Sequence, residues 1–418
     1  MVLVTALSLG GNELARPNVI LIIGDDMGWS DFSFMGSRDV ATPNIDRLAN
    51  NGAAFLNGYV PSSLCRASLA TLLTGRYGHE HKICCNDPPD GIDRTQMHPF
   101  IRSVPTIPRL LGKAGMPSLQ TGKYWEGHFS NAGFTEGMSL GGRHGDAGLA
   151  IGRKTMKPIV EFIDRHREEP FFLWYAPMLP HQPHDPPSRL LDKYSVDGRD
   201  GHLARYYAMC EWFDETVGKL VQILDERGLL SSTLIVLAID NGWIQATGGK
   251  PGEHLAFAPK SKRSPYDGGL RTPILFHWPG KIPAARRHEL VSTIDIAPTI
   301  LAACDVEIPA AMPGRNLLDL IRDGKPLDRD AVFGETFLHT CVELDRPAVN
   351  LTHRWVREGK WKMIEPADPK ESVELYDVET DPTEERNCAA SEPAVVERLK
   401  RRLEIWWRET HGETSLSR

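Results

Sequence analysis

Unbroken aliphatic and β-branched runs alternate with amphipathic stretches along most of this chain. Residues 18–23 (Asn-Val-Ile-Leu-Ile-Ile) and 233–239 (Thr-Leu-Ile-Val-Leu-Ala-Ile) carry almost no polar interruption, the pattern of strands buried on both faces of a parallel sheet. Residues 53–60, 171–176 and 274–278 read as further strands. Between them, Thr42-Pro43 through Gly52 has a cap residue, Pro in the first turn and Gly at the end, which together mark a short helix. Helical periodicity returns near 105–114, 157–167, 202–228 and 292–303. The alternation predicts an α/β fold, a large mainly parallel sheet sandwiched by helices. Past residue 325 the runs shorten to strands near 331–337, 354–357, 360–364 and 373–376, and an amphipathic helix follows near 395–407. That pattern predicts a small C-terminal antiparallel sheet with a covering helix. The chain thus divides into a lead-in over 1–16, a main α/β domain over 17–325 and a smaller α+β subdomain over 326–418.

Composition narrows the function more than the fold. With 418 residues, 41% hydrophobic and 25% charged, the chain can bury a sizeable core. A net charge of -7 argues against a broad nucleic-acid-binding surface and leaves room for a local basic pocket. No run is long and apolar enough to span a bilayer. The apolar opening, Met1 to Gly11, is compatible with the tail of a trimmed secretion signal or with a plain lead-in. A periplasmic or secreted location is the expectation, with the cytoplasm left open. The seven cysteines show no metal-ligand spacing, and their odd number argues against a complete disulfide framework. Adjacent Cys84 and Cys85 are poor partners for each other.

Two buried strands deliver candidate chemistry at their carboxyl ends, where open α/β sheets collect ligands. The first ends in Gly24-Asp25-Asp26-Met27-Gly28 and the second in Asp240-Asn241-Gly242. Three carboxylates and one amide oxygen form a hard donor set suited to Ca²⁺ or Mg²⁺. A third feature is Pro61-Ser62-Ser63-Leu64-Cys65-Arg66, which follows a strand and precedes a helix closed by Gly75. Ser62 is expected in the turn before that helix, with Arg66 in its first turn. Unpaired N–H groups and the positive dipole end favour an anion there.

The stretch from Ser62 to Arg76 resembles the sulfatase signature, Cys-x-Pro-Ser-Arg followed by Thr-Gly-Arg, whose first Cys or Ser is oxidised to formylglycine. Set on Arg66, the modified position falls on Ser62, and Leu64 stands where Pro is usual. Further segments resemble the same family in order. Gly122-Lys123 matches a Gly-Lys-Trp-His stretch, with Trp125 in place of the His and His128 as a nearby substitute. Pro180-His181-Gln182-Pro183 resembles its Pro-His-x-Pro. Lys260 to Pro273 resembles its Lys-x-x-x-Tyr-Glu-Gly-Gly-x-Arg-x-Pro, which puts the lysine at Lys262, with Lys260 as the alternative and Asp267 for Glu.

The resemblance implies an alkaline phosphatase-like fold and a metal-dependent hydrolase acting on a small anionic ester or a sulfated glycan. Asp25, Asp26, Asp240 and Asn241 would hold Ca²⁺, with Mg²⁺ or Mn²⁺ as alternatives. Arg66, Lys123 and Lys262 would neutralise the transferring group, His181 would assist the leaving oxygen, and Ser62, as formylglycine or unmodified, would attack. The departures at 62, 64 and 125 touch the release of sulfate from a formylglycine hydrate. They keep two rivals open: a phosphoester hydrolase working through phosphorylated Ser62, and a pseudoenzyme that binds anionic glycans without turnover. Oligomeric state has no readable signal.

Overall fold

The computed structural model describes residues 16–250, 253 and 255–411; the expected lead-in lies almost wholly outside them. Nine strands form one sheet: β1 (Asn18–Gly24), β2 (Ala53–Tyr59), β3 (Ser118–Gly122), β4 (Glu136–Gly137), β5 (Phe172–Ala176), β6 (Thr233–Ile239), β7 (Arg271–His277), β8 (Ala285–Arg287) and β9 (Val291–Ser292). Their order is β4-β3-β5-β1-β6-β7-β2-β8, with β9 also on β2. The ladders from β4 to β6 are all parallel, and β7 is antiparallel to both its neighbours. This is the large mainly parallel sheet that the apolar runs predict.

Strand alternation explains why those runs have no polar residues. Successive side chains point to opposite faces, and both faces are covered. Val19, Leu21 and Ile23 of β1 join Leu234, Val236 and Ala238 of β6 in one core. Ile20 and Ile22 join Ile235, Leu237 and Ile239 in the other. The helices Cys65–Thr74 and Ile296–Ala303 cover the first face, and Pro43–Asn50, Lys157–His166 and Gly201–Asp225 cover the second. The helix expected over 292–303 instead starts as β9, passes through a tight turn at Thr293–Asp295 and becomes helical at Ile296. The cause is Asp295, whose carboxylate accepts from Ser292 N at 2.8 Å and pairs with Arg329.

The second sheet is antiparallel: β10 (Ala331–Phe337), β11 (Leu351–Glu358), β12 (Trp361–Pro366) and β13 (Glu374–Asp377). One face takes Leu399, Leu403 and Trp406 of the helix Pro393–His411. From the other face Val332, Trp355 and Ile364 pack on Tyr59, Val60 and Leu270 at the end of the large sheet. The second sheet also grips the loop after β2. Trp355 Nε1 and Glu335 N both donate to Pro61 O at 3.0 Å. Gly334 permits this approach, because a Cβ there would lie 2.2 Å from that same oxygen.

A buried polar network crosses between the sheets. Lys362 Nζ on β12 meets Asp267 Oδ1 at 2.8 Å and Glu384 Oε1 at 2.9 Å, and Tyr59 O–H donates to Asp267 Oδ2 at 2.9 Å. Removing one partner of a buried pair leaves uncompensated charge. Lys362→Met is therefore expected to lower the unfolding free energy by about 3–5 kcal/mol, read from urea denaturation.

Candidate active site

The in-register pairing of β1 with β6 sets Gly24 opposite Ile239, so Asp25-Asp26 and Asp240-Asn241 leave the sheet side by side. Asp26 takes a left-handed backbone (φ 65°), which breaks strand alternation and lets neighbouring carboxylates converge. Asp26 N then donates to Asp240 Oδ1 at 3.1 Å, and Asn241 Nδ2 donates to Asp26 Oδ1 at 2.7 Å. Lys123 arrives from the end of β3 through Gly122, whose φ is +72° and where a Cβ would stand 1.7 Å from Ala176 O; only glycine fits that turn. Lys123 Nζ reaches Asp25 Oδ1 at 2.5 Å and Asp240 Oδ2 at 3.3 Å. Lys262 Nζ lies 2.6 Å from both oxygens of Asp26, and Lys260 instead donates to Glu384 O. His181 Nε2 is 3.5 Å from Asp26 Oδ2.

Cys65 completes the cluster. Its sulfur and carboxylate oxygens of Asp25, Asp26 and Asp240 all lie within 4.8 Å of one another, as do Asp25, Cys65 and His181. Cys65 is the first residue of the helix Cys65–Thr74, so its sulfur sits where the positive dipole end is strongest. Burial pushes its thiol up to about 12, against the pull of Lys123 and Lys262. Ser62, the expected nucleophile, is placed differently. Its hydroxyl is buried without a hydrogen-bond partner among the described residues, in the loop gripped by the second sheet. The helix start that favours an anion falls at Cys65, three residues beyond Ser62.

Arg66, expected to neutralise the transferring group, is engaged by neighbouring residues. Its Nε and Nη2 clasp Glu126 at 2.7 and 2.9 Å, and Nη1 and Nη2 donate to Cys85 O and Met97 O. Those bonds spend the guanidinium on holding the helix start rather than on a ligand. His128 is exposed and caps the turn Phe129–Ala132. A further imidazole, which no motif above singles out, is His144, in the glycine-rich loop over 133–148. It packs on Trp125 at 4.6 Å and stands 6.2 Å from the His181 ring. Burial, then Lys123, push His144 down to about 3, and burial takes His181 to about 3, so both rings are neutral.

Three carboxylates face two ammoniums in this buried cluster. Burial and then Asp25 raise Asp240 to about 7, while burial of Asp26 is outweighed by Lys262 and His181, which hold it below the usual carboxylate range. Asp25 Oδ2 and Asn241 Oδ1 are buried acceptors with no partner among the described residues. Orphaned oxygens beside excess negative charge fit a hard divalent cation. With such an ion the cluster becomes net positive, the right sign for an anionic ester.

A family model described as Sulfatase matches residues 17–306, and one described as N-sulphoglucosamine sulphohydrolase, C-terminal, matches residues 252–408. N-acetylgalactosamine-6-sulfatase of Homo sapiens is 28% identical over 397 residues, covering 83% of this chain and 73% of its own length. Among solved structures, Ps i-CgsB is 26% identical with a TM-score of 0.74, covering 94% of this chain and 93% of its own. Another, solved with its substrate D-glucosamine-2-N,6-O-disulfate, is 20% identical with a TM-score of 0.76 and covers 95% and 99%.

Because Glu126 neutralises a buried guanidinium, Glu126→Gln is expected to cost about 3–5 kcal/mol in unfolding free energy and to leave KM near the wild-type value below the transition. A shifted KM with unchanged stability would instead make Arg66 a substrate ligand.

Proposed function

The chain belongs to the sulfatase family, and we propose that it hydrolyses sulfate esters of carbohydrates with the side chain at position 65 as nucleophile. The observation that carries this reading is the Cys65 sulfur among the carboxylates of Asp25, Asp26 and Asp240 at a helix start. In this reading Cys65 is the precursor of the formylglycine that the family carries. Asp25, Asp26, Asp240 and Asn241 would hold Ca²⁺, or Mg²⁺ or Mn²⁺ in its place, through oxygen donors. The chemistry such a cation would supply there is polarisation of the ester and a preference for the ionised nucleophile.

The chain's own residues supply the remaining parts. Lys123 and Lys262 neutralise the charge on the transferring group. Neutral His181, 3.5 Å from Asp26, and His144, 6.2 Å from the His181 ring, act as proton carriers, one for the departing sugar oxygen and one for the nucleophile. The relative's name supports a sugar sulfate, as does the neighbour solved with a disulfated glucosamine. Next along the chain from His181, a polar pocket lined by Gln182, His184, His202, Arg205, Gln245 and Glu253 suits a hydroxylated ring. A polysaccharide substrate, too large to cross a membrane unaided, suits an exported enzyme.

Variants at 65 and 62 test the reading. Cys65→Ala is expected to lower kcat on an aryl sulfate on the order of 10⁴-fold, while Ser62→Ala leaves it nearly unchanged. The reverse ranking would restore Ser62 as the nucleophile, as formylglycine or unmodified, and reopen the rival route through a phosphoserine. Peptide mass spectrometry reads the same choice directly. Residue 65 is expected to lose sulfur and two hydrogens and to gain one oxygen, whereas oxidation at 62 would remove two hydrogens only.

His144→Ala is expected to lower kcat by about 10²- to 10⁴-fold, with KM much less affected. His128→Ala should change neither.

A further inference from the structure

A second group of reactive side chains lies away from the carboxylates. The sulfurs of Cys84, Cys85 and Cys341 all lie within 4.8 Å of one another, with Cys84 and Cys85 at 3.8 Å. All three are buried, among Met97, Phe337, Leu344 and Leu351. Backbone pairing holds the two segments in register. Asn86 N and Asp87 N donate to His339 O at 2.9 and 3.1 Å, and Cys341 N donates to Asp87 O at 2.9 Å. The sulfurs therefore meet because two segments of chain are already laced together, one after the helix Cys65–Thr74 and one after β10.

Two chemistries suit three thiols at this spacing, a soft metal ion or a cystine. The group contains no imidazole or carboxylate, so a metal would be held by three thiolates and would leave net negative charge among apolar side chains, which is costly. A cystine is neutral and small, and this pocket accepts it without desolvating a charge. Adjacent Cys84 and Cys85 seldom reach each other in disulfide geometry, which leaves Cys341 as the shared partner.

We propose that Cys341 forms a disulfide with either Cys84 or Cys85, the other thiol of that pair staying reduced beside it, so that the second sheet is covalently stapled to the segment under the nucleophile helix. The reaction balances by exchange with a disulfide of the glutathione class. One protein thiolate attacks it and releases one reduced thiol. The second protein thiolate then attacks the mixed disulfide and releases the other. Two electrons and two protons pass from the protein pair to the reagent. Hydrogen bonds from the Cys84 and Cys85 thiols hold Cys341 below the ordinary thiol value, which favours it as the first attacker. The spare thiol can in turn displace its neighbour, so the bond migrates between 84 and 85 without opening the pocket.

The staple bears on the active site through two bonds. Arg66 N donates to Asn86 Oδ1 at 3.0 Å, and Arg66 Nη1 donates to Cys85 O at 3.2 Å. Closing the bond would hold the first turn of the helix Cys65–Thr74 against the second sheet. Cys65 groups with the carboxylates and not with these three sulfurs, so cross-link and nucleophile position stay separate.

The test uses the full chain equilibrated with glutathione disulfide, alkylated without reduction and digested. The peptide holding Cys341 is expected to be joined to the one holding residues 84 and 85, with a single alkylated thiol on the latter. Cys84→Ser and Cys85→Ser should each keep the cross-link through the remaining partner, and Cys341→Ser should lose it. Reduction should lower Tm in the wild type and not in Cys341→Ser. Alkylation of all three thiols in the wild type would overturn the proposal, even if every variant failed to fold. So would one equivalent of co-purifying metal that is released when the three thiols become reactive.

Discussion

Everything at the active site depends on β1 and β6 lying side by side, parallel and in register from Asn18↔Thr233 to Gly24↔Ile239. Two segments more than two hundred residues apart in sequence thereby end at the same level of the sheet. A slip of one residue would reverse the faces of every side chain in one strand. The apolar residues of both strands serve two cores at once, so the register is held by packing on both faces. Carboxylates that repel one another are forced together by that packing, and the ammoniums of Lys123 and Lys262 offset only part of the repulsion.

The second constraint is the grip of the small sheet on the loop that leads to Cys65. Trp355 and Glu335 both bind Pro61 O, and Lys362 anchors Asp267 just before β7. The buried Arg66–Glu126 pair fixes the start of the helix from the other side. A side chain held this way faces the cluster with little freedom, which is what preorganised catalysis needs. The small antiparallel sheet therefore supports that loop, although among the described residues none of its side chains joins the carboxylate cluster.

Much of this was legible in the chain because it rests on periodicity. The two uninterrupted apolar runs, the capped helix Pro43–Asn50 and the four short C-terminal strands follow from patterns that local sequence carries. Asp25, Asp26, Asp240 and Asn241 were readable from their places after those runs, and Lys123, His181 and Lys262 from motif resemblance; all seven come together. Cys65 was hidden by an alignment fixed on Arg66, a residue whose charge is consumed by Glu126, sixty positions away. His144 was hidden because a glycine-rich loop has no period, and only the fold brings its ring onto Trp125. The meeting of Cys341 with Cys84 and Cys85 depends on contacts between the two sheets, which spacing along the chain does not encode.

The most direct test of the central claim is an anomalous diffraction measurement on crystals grown in Ca²⁺. The expected result is one calcium peak at about 2.3–2.6 Å from oxygens of Asp25, Asp26, Asp240 and Asn241, with the side chain of residue 65 facing it. A site empty at saturating Ca²⁺, or a peak bound by other residues while the three carboxylates stay bonded to Lys123 and Lys262, would contradict it.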